Sequence, residues 1–147
     1  LIRVRLSYSS VMNTLADIQK AFQETNLALK VGRLFYSEQN IFPYNELGIG
    51  RLIYRLPVSL CENFLSEIFG SPIPKTLDPE LMATVNRFFL NNLNIAETAR
   101  QLHMHRNTLI YRLEQIEKQT GLDLRLFDDA MTFKIAMMVI NYLKGNK

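Results

Sequence analysis

"HMHRNTLIYRLEQIEKQTG", residues 103–121, is the stretch on which the fold of this chain turns. With about 100° of rotation per residue, Leu109, Leu113 and Ile116 gather on one side of a helix, and Asn107, Tyr111, Glu114 and Lys118 project from the other. The first side belongs in a core. The second is polar and hydrogen-bonding at its start, becomes acidic at Glu114, and ends at Gly121, a natural C-terminal stop.

Upstream, Asn94 opens a shorter helix with Ile95, Ala99 and Leu102 as its inner stripe, and Glu97 stands three residues after the cap in capping-box spacing. A helix of about eight residues, a turn of three or four and a longer helix make the helix-turn-helix layout, which lays its second helix in the major groove of DNA. Ala99 is small where the helices cross, Leu102 and Met104 flank the turn, and Leu109 and Leu113 anchor the second helix on the first. Recognition helices meet base edges mainly through their N-terminal residues. Arg106 there suits the O6 and N7 of guanine, Asn107 suits adenine or a phosphate, and Thr108 suits a phosphate or the thymine methyl. Tyr111, one turn on, reaches phosphate, and Arg112 flanks the core side for a phosphate contact or an internal ion pair. Asn94 and His105 mark the positive ends of the two helix dipoles, which attract the backbone irrespective of sequence, and Thr98 completes the expected DNA-contacting set.

Further out, Leu1 to Ser7 alternates as a short half-buried strand. Ser9 or Ser10 then caps a helix with Val11, Leu15, Ile18, Phe22 and Leu29 at helical spacing, ending near Gly32. "RLFYSEQNI", residues 33–41, has weak β character and is a candidate partner for the first strand. A loosely started helix follows Pro43, and another runs over about 58–69, burying Leu60, Phe64, Leu65 and Ile68. "GSPIPKTLDP", residues 70–79, holds three of the five prolines and reads as the linker. Asp78, Pro79 and Glu80 then make a strong helix start, with Leu81, Val85, Phe88 and Phe89 on the apolar face. A last helix over about 128–144 carries Met131, Ile135, Met138, Val139 and Tyr142 on one side and Phe133, Met137 and Ile140 elsewhere. A surface that wide is either deeply buried or shared with another subunit.

The 147 residues are 48% hydrophobic and contain six Gly and five Pro, the composition of an ordinary globular protein rather than a disordered one. Seventeen Lys and Arg against 14 Asp and Glu give a net charge of +3, which permits a polyanionic partner without demanding one. Residues 1–75 carry 8 bases and 6 acids and residues 76–147 carry 9 and 8, so neither half concentrates the excess. Cys61 stands alone, which rules out an internal disulfide and fits a reducing cytoplasm. No apolar run approaches the roughly 18 residues of a membrane span, and the opening residues show no signal-peptide pattern. His103 and His105 form a His-x-His without nearby Cys or clustered acids, and read as a turn residue and a helix cap rather than metal ligands. No cofactor is expected. Residues 1–70 lack a glycine-rich phosphate loop and metal-binding carboxylates, and no Ser-His-Asp set or paired acids are recognisable, so an enzyme is not expected.

Residues 91–125, "NNLNIAETARQLHMHRNTLIYRLEQIEKQTGLDLR", resemble the C-terminal helix-turn-helix of the bacterial sugar-diacid-utilisation and purine-catabolism regulators, the CdaR/PucR family. The resemblance rests on His-Arg-Asn-Thr-Leu, Tyr-Arg-Leu and Thr-Gly-Leu-Asp, and extends upstream through "YNELGIGRLIYRLP" and "TVNRFFLNNLNIAETA". It implies a mainly α fold in three parts. Residues 1–70 are the end of a degenerate GGDEF-like domain, a small α/β remnant; residues 71–78 are a linker; residues 79–147 are the DNA-binding domain. It implies Arg106, Asn107, Thr108 and Tyr111 as the groove-facing set, a double-stranded operator, and an effector such as a sugar diacid or related metabolite held by an absent N-terminal domain.

From Asn94 to Lys118 there are four Arg or Lys and three Glu, a net of +1. That is low for a surface that tracks phosphates, so a homodimer on a two-fold site is expected. The competing reading is a non-catalytic helical dimerisation module, in which Arg106 and Asn107 are replaceable without loss.

Overall fold

A computed structural model of the chain describes residues 3–70 and 78–145. Its internal contacts divide it into two units: one holds the residues up to Cys61 together with those from Met138 onward, and the other is Glu62–Met137. The linker expected at 71–78 lies, apart from Asp78, outside the described residues, as does the start of the strand expected at Leu1.

The first unit begins with β1 (Leu6–Tyr8), followed by a 3-10 turn (Leu15–Asp17), α1 (Ile18–Phe35), β2 (Ile41–Pro43), a second 3-10 turn (Tyr44–Glu46) and α2 (Gly48–Ile53). β1 and β2 pair in parallel, Leu6 with Ile41, Ser7 with Phe42 and Tyr8 with Pro43, and α1 is the crossover that a parallel pair requires. The expected pairing of the 33–41 segment with the first strand holds only at its end, because residues 33–35 continue α1. This two-stranded pair is the only sheet among the described residues, and it does not support the expected GGDEF-like α/β piece.

The expected face of the first helix is corrected. Val11 precedes the helix and is 89% exposed, Phe22 is 67% exposed, and Leu15 and Ile18 also face outward. Glu24, Ala28, Val31 and Gly32 are buried instead, because the core of this unit is Ala28, Val31, Phe42 and Leu47, and the ring of Phe42 lies directly over Gly32. Neither Ser9 nor Ser10 caps the helix. Thr14 and Asp17 form a capping box at the preceding 3-10 turn.

α3 (Val58–Phe69) occupies the expected range, but it buries Cys61 and Leu65 while Leu60 faces outward. α7 (Phe127–Gly145) ends the described chain, and of its wide apolar surface only Met131 is among the exposed large hydrophobics beyond Phe127. Ala130, Phe133, Ala136, Met138, Val139, Ile140 and Tyr142 are buried, so the deeply buried alternative describes α7. Among the described residues no helix is long and apolar enough to cross a membrane.

The second unit contains α4 (Pro79–Leu90), α5 (Ile95–Gln101) and α6 (Arg106–Thr120). Its core is Val85, Phe88, Ala99, Leu109, Leu113, Ile116, Leu124 and Phe133, with Leu81, Phe89, Leu93, Ile95 and Met104 packed around it. Asp78 caps α4 as expected, accepting from the Glu80 and Leu81 amides at 2.8 and 3.1 Å, with Pro79 in the first turn.

A Cβ on Gly32 overlaps the Phe42 ring. Gly32→Ala is expected to lower the unfolding free energy by about 1–3 kcal/mol, as overpacking of a dense core does; urea denaturation followed by circular dichroism measures it, and an unchanged midpoint refutes this packing.

Candidate nucleic-acid interface

Two reversals of the backbone create the arrangement of α4, α5 and α6. At the end of α4 the Leu93 amide donates to the Phe88 carbonyl at 3.0 Å and the Asn92 amide to Phe89 at 3.1 Å, with Asn92 and Leu93 at φ 51° and 61°. At the end of α5 the Met104 amide donates to Ala99 at 3.0 Å and the His103 amide to Arg100 at 3.2 Å, with His103 at φ 52°. Each is a Schellman turn, which satisfies the last carbonyls of a helix and ordinarily places glycine in the left-handed position. Ala99 and Met104 both join the core, providing the hydrophobic contact that accompanies such a turn.

His105 caps α6: its Nδ1 accepts the Asn107 amide at 3.2 Å. Asn94 caps α5, accepting the Glu97 amide at 3.0 Å. The expected capping box is only half formed, because the Glu97 carboxylate turns to the Arg100 guanidinium at 2.6 Å and the Gln101 amide at 2.5 Å. The Arg100 hydrogen bonds, then that from Gln101, hold the Glu97 carboxyl below its ordinary pKa, against a smaller effect of burial.

Arg106, Asn107, Thr108 and Tyr111 are exposed on the first turn and a half of α6, with Tyr111 at 58%. Leu109, Leu113 and Ile116 are buried, as the periodicity demands. Two residues from the expected contact set lie elsewhere. Thr98 is fully buried; its hydroxyl donates to the Asn94 carbonyl at 2.7 Å and accepts from the Asn91 side chain at 3.2 Å, leaving nothing for a nucleic acid. Arg112 turns toward α4, where it pairs with Glu80 and donates to the Thr84 hydroxyl at 2.9 Å, so the internal ion pair is its observed role.

The end of α6, where Gly121 was expected as the stop, is a structural clamp in which sequence reasoning gave Thr120, Asp123 and Arg125 no role. Gly121 takes φ 75°, and the Thr120 hydroxyl donates to Ile116 at 2.8 Å and accepts the Leu122 amide at 3.2 Å. Arg125 grips both Asp123 oxygens at 2.7 and 2.9 Å and Glu117 at 2.9 Å, and the Asp123 amide donates to Asp129 at 2.9 Å. Arg125 hydrogen bonds hold the Asp123 carboxyl below its ordinary value, with burial opposing them more weakly. Among the described residues no group of three or more His, Cys, Asp or Glu is placed to hold a metal ion.

Residues 81–139 match the PucR C-terminal helix-turn-helix domain. Over those residues the chain carries a helix-turn-helix domain of the PucR C-terminal type. It is 32% identical over 135 residues to the purine catabolism regulatory protein of Bacillus subtilis, covering 91% of this chain and 25% of that protein. It is 29% identical over 140 residues to the carbohydrate diacid regulator of Escherichia coli, covering 94% of this chain and 36% of that protein. A third relative, the proline-responsive transcriptional activator PutR of B. subtilis, is 30% identical over 134 residues, covering 87% of this chain and 32% of that protein. The chain thus spans between a quarter and about a third of these relatives, which are regulators of transcription rather than enzymes. Within the family signature, the structure separates exposed positions (Arg106, Asn107, Thr108, Tyr111) from those that build the fold (His105, Leu109, Arg112, Leu113, Thr120, Gly121, Asp123).

His103→Gly is expected to raise stability by about 1 kcal/mol, because the left-handed turn penalises any side chain and glycine carries none. A fall in the urea midpoint contradicts that account. The depressed Asp123 carboxyl contributes stability above the ordinary carboxylate pKa near about 4, and this contribution is lost as pH falls through its lower folded value. Asp123→Asn should therefore flatten the acid limb of stability against pH; an acid limb identical to that of the wild type rules out the linkage.

Proposed function

We propose that this chain is the DNA-binding part of a transcriptional regulator and reads double-stranded operator DNA by laying α6 in the major groove. The observation that carries the reading is the commitment of charge. Arg100, Arg112 and Arg125 are held in ion pairs, while Arg106 stands exposed at the start of α6 with Asn107 and Thr108 beside it. Arg106 then forks onto a guanine, Asn107 and Thr108 contact the neighbouring base or phosphate, and Tyr111 reaches phosphate. Asn94 and His105, at the starts of α5 and α6, direct their helix ends toward the DNA backbone. Thr98 and Arg112 support this surface from within the fold.

One module with so few uncommitted cations binds weakly, which favours a homodimer on a two-fold operator. The names of the relatives support a catabolic operon, such as one for sugar diacid use, as the target. The effector, a sugar diacid or related metabolite, belongs to the part of the relatives' length that this chain does not cover, and the site of action is the cytoplasm.

Selection from random duplex DNA by wild type and Arg106→Ala, sequenced in parallel at one salt concentration, tests the proposal. The wild type should return a palindromic consensus, and the variant should lose preference at one symmetric position with a cost of about 1–3 kcal/mol. Indistinguishable, sequence-neutral pools for both proteins would overturn α6 as the reader and favour the helical interaction module.

A further inference from the structure

The first unit carries a cluster of charge that DNA reading does not use. Arg3 and Arg5, two residues apart in the run leading into β1, and Arg33, in the last turn of α1, open onto one notch of 330 Å³ with Leu29 in its wall. None of the three has a carboxylate partner, since every ion pair among the described residues is made by Arg100, Arg112 or Arg125. Arg3 is steadied by neutral acceptors, the Asn40 side chain at 3.1 Å and the Ser37 carbonyl at 2.5 Å, so its charge is uncompensated. The Arg33 side chain is exposed, and the Nε of Arg5 is buried with no hydrogen-bond acceptor among the described residues.

Three like charges around one small space repel. One occupant offsets that repulsion: an anion with several acceptor oxygens. Guanidinium forks match phosphate oxygens in spacing and plane. A phosphate monoester is a dianion with three terminal oxygens, one for each arginine, whereas a phosphodiester in a nucleic-acid backbone offers two oxygens and a single charge. The notch lies at the small end of ligand-binding cavities, about 300–1,000 Å³, and Leu29 gives the carbon part of an ester an apolar surface.

We propose that the Arg3–Arg5–Arg33 notch binds the phosphate group of a small phosphate monoester. This site is independent of the helix-turn-helix, and Arg106→Ala leaves it intact, so its failure and that of the DNA reading are separable.

The test titrates inorganic phosphate and adenosine 5′-monophosphate into the 147-residue chain, with adenosine and sodium chloride at matched ionic strength as references. Melting temperature and the NMR resonance of the Arg5 Nε–H are followed. Phosphate and the monophosphate should each raise the melting temperature saturably and shift that resonance, adenosine should do neither, and Arg33→Gln, at an exposed position, should weaken both responses at least tenfold. The proposal is overturned if chloride reproduces the response, if Arg33→Gln titrates like the wild type, or if the resonance moves with duplex DNA alone. That last result would assign the arginines to the nucleic-acid backbone instead.

Discussion

The hydrogen bond from the Met104 amide to the Ala99 carbonyl is the constraint on which the candidate interface depends. It exists only because His103 accepts a left-handed backbone, and it turns the chain sharply enough that α6 packs back on α5 through Leu109. Ala99 enables the same closeness, because a larger side chain there would hold the two helices apart. Once α6 is seated, the His105 cap satisfies one of its orphaned amides, and the residues of its first turn face outward by helical geometry alone. The exposed quartet is thus a consequence of the turn before it.

Three of the arginines in the second unit are structural. Arg112 joins α6 to α4, Arg125 gathers Asp123 and Glu117 at the end of α6, and Arg100 stays within α5. Such exposed or partly exposed pairs each contribute little to stability, and their larger effect is to fix side chains in place. The formal count of cations therefore overstates the positive charge that a polyanion meets at this surface.

Much of the second unit was legible because its determinants are local. Asp78-Pro79, Asn94 and Gly121 mark helix ends by their own chemistry, and Leu109, Leu113 and Ile116 declare a buried stripe by spacing. What escaped depended on partners distant in sequence. Arg112 meets Glu80 across 32 positions, and the buried Thr98 takes a hydrogen bond from the Asn91 side chain, neither of which periodicity records. In the first unit, Val11, Leu15, Ile18 and Phe22 have helical spacing yet face outward. There the β-strands decide which side of α1 is covered, and the small residues Ala28 and Gly32 admit Phe42 where larger ones cannot.

The two Schellman turns at Asn92-Leu93 and His103 leave no slack in the connections of the second unit. Each fixes the number of residues between helices as firmly as it fixes their direction. One residue added within 102–105 breaks the bond that orients α6, and one added inside α6 rotates every later side chain by about 100°. Side chains at 106, 107, 108 and 111 are therefore exchangeable on this scaffold without disturbing it, while the lengths of its turns are not.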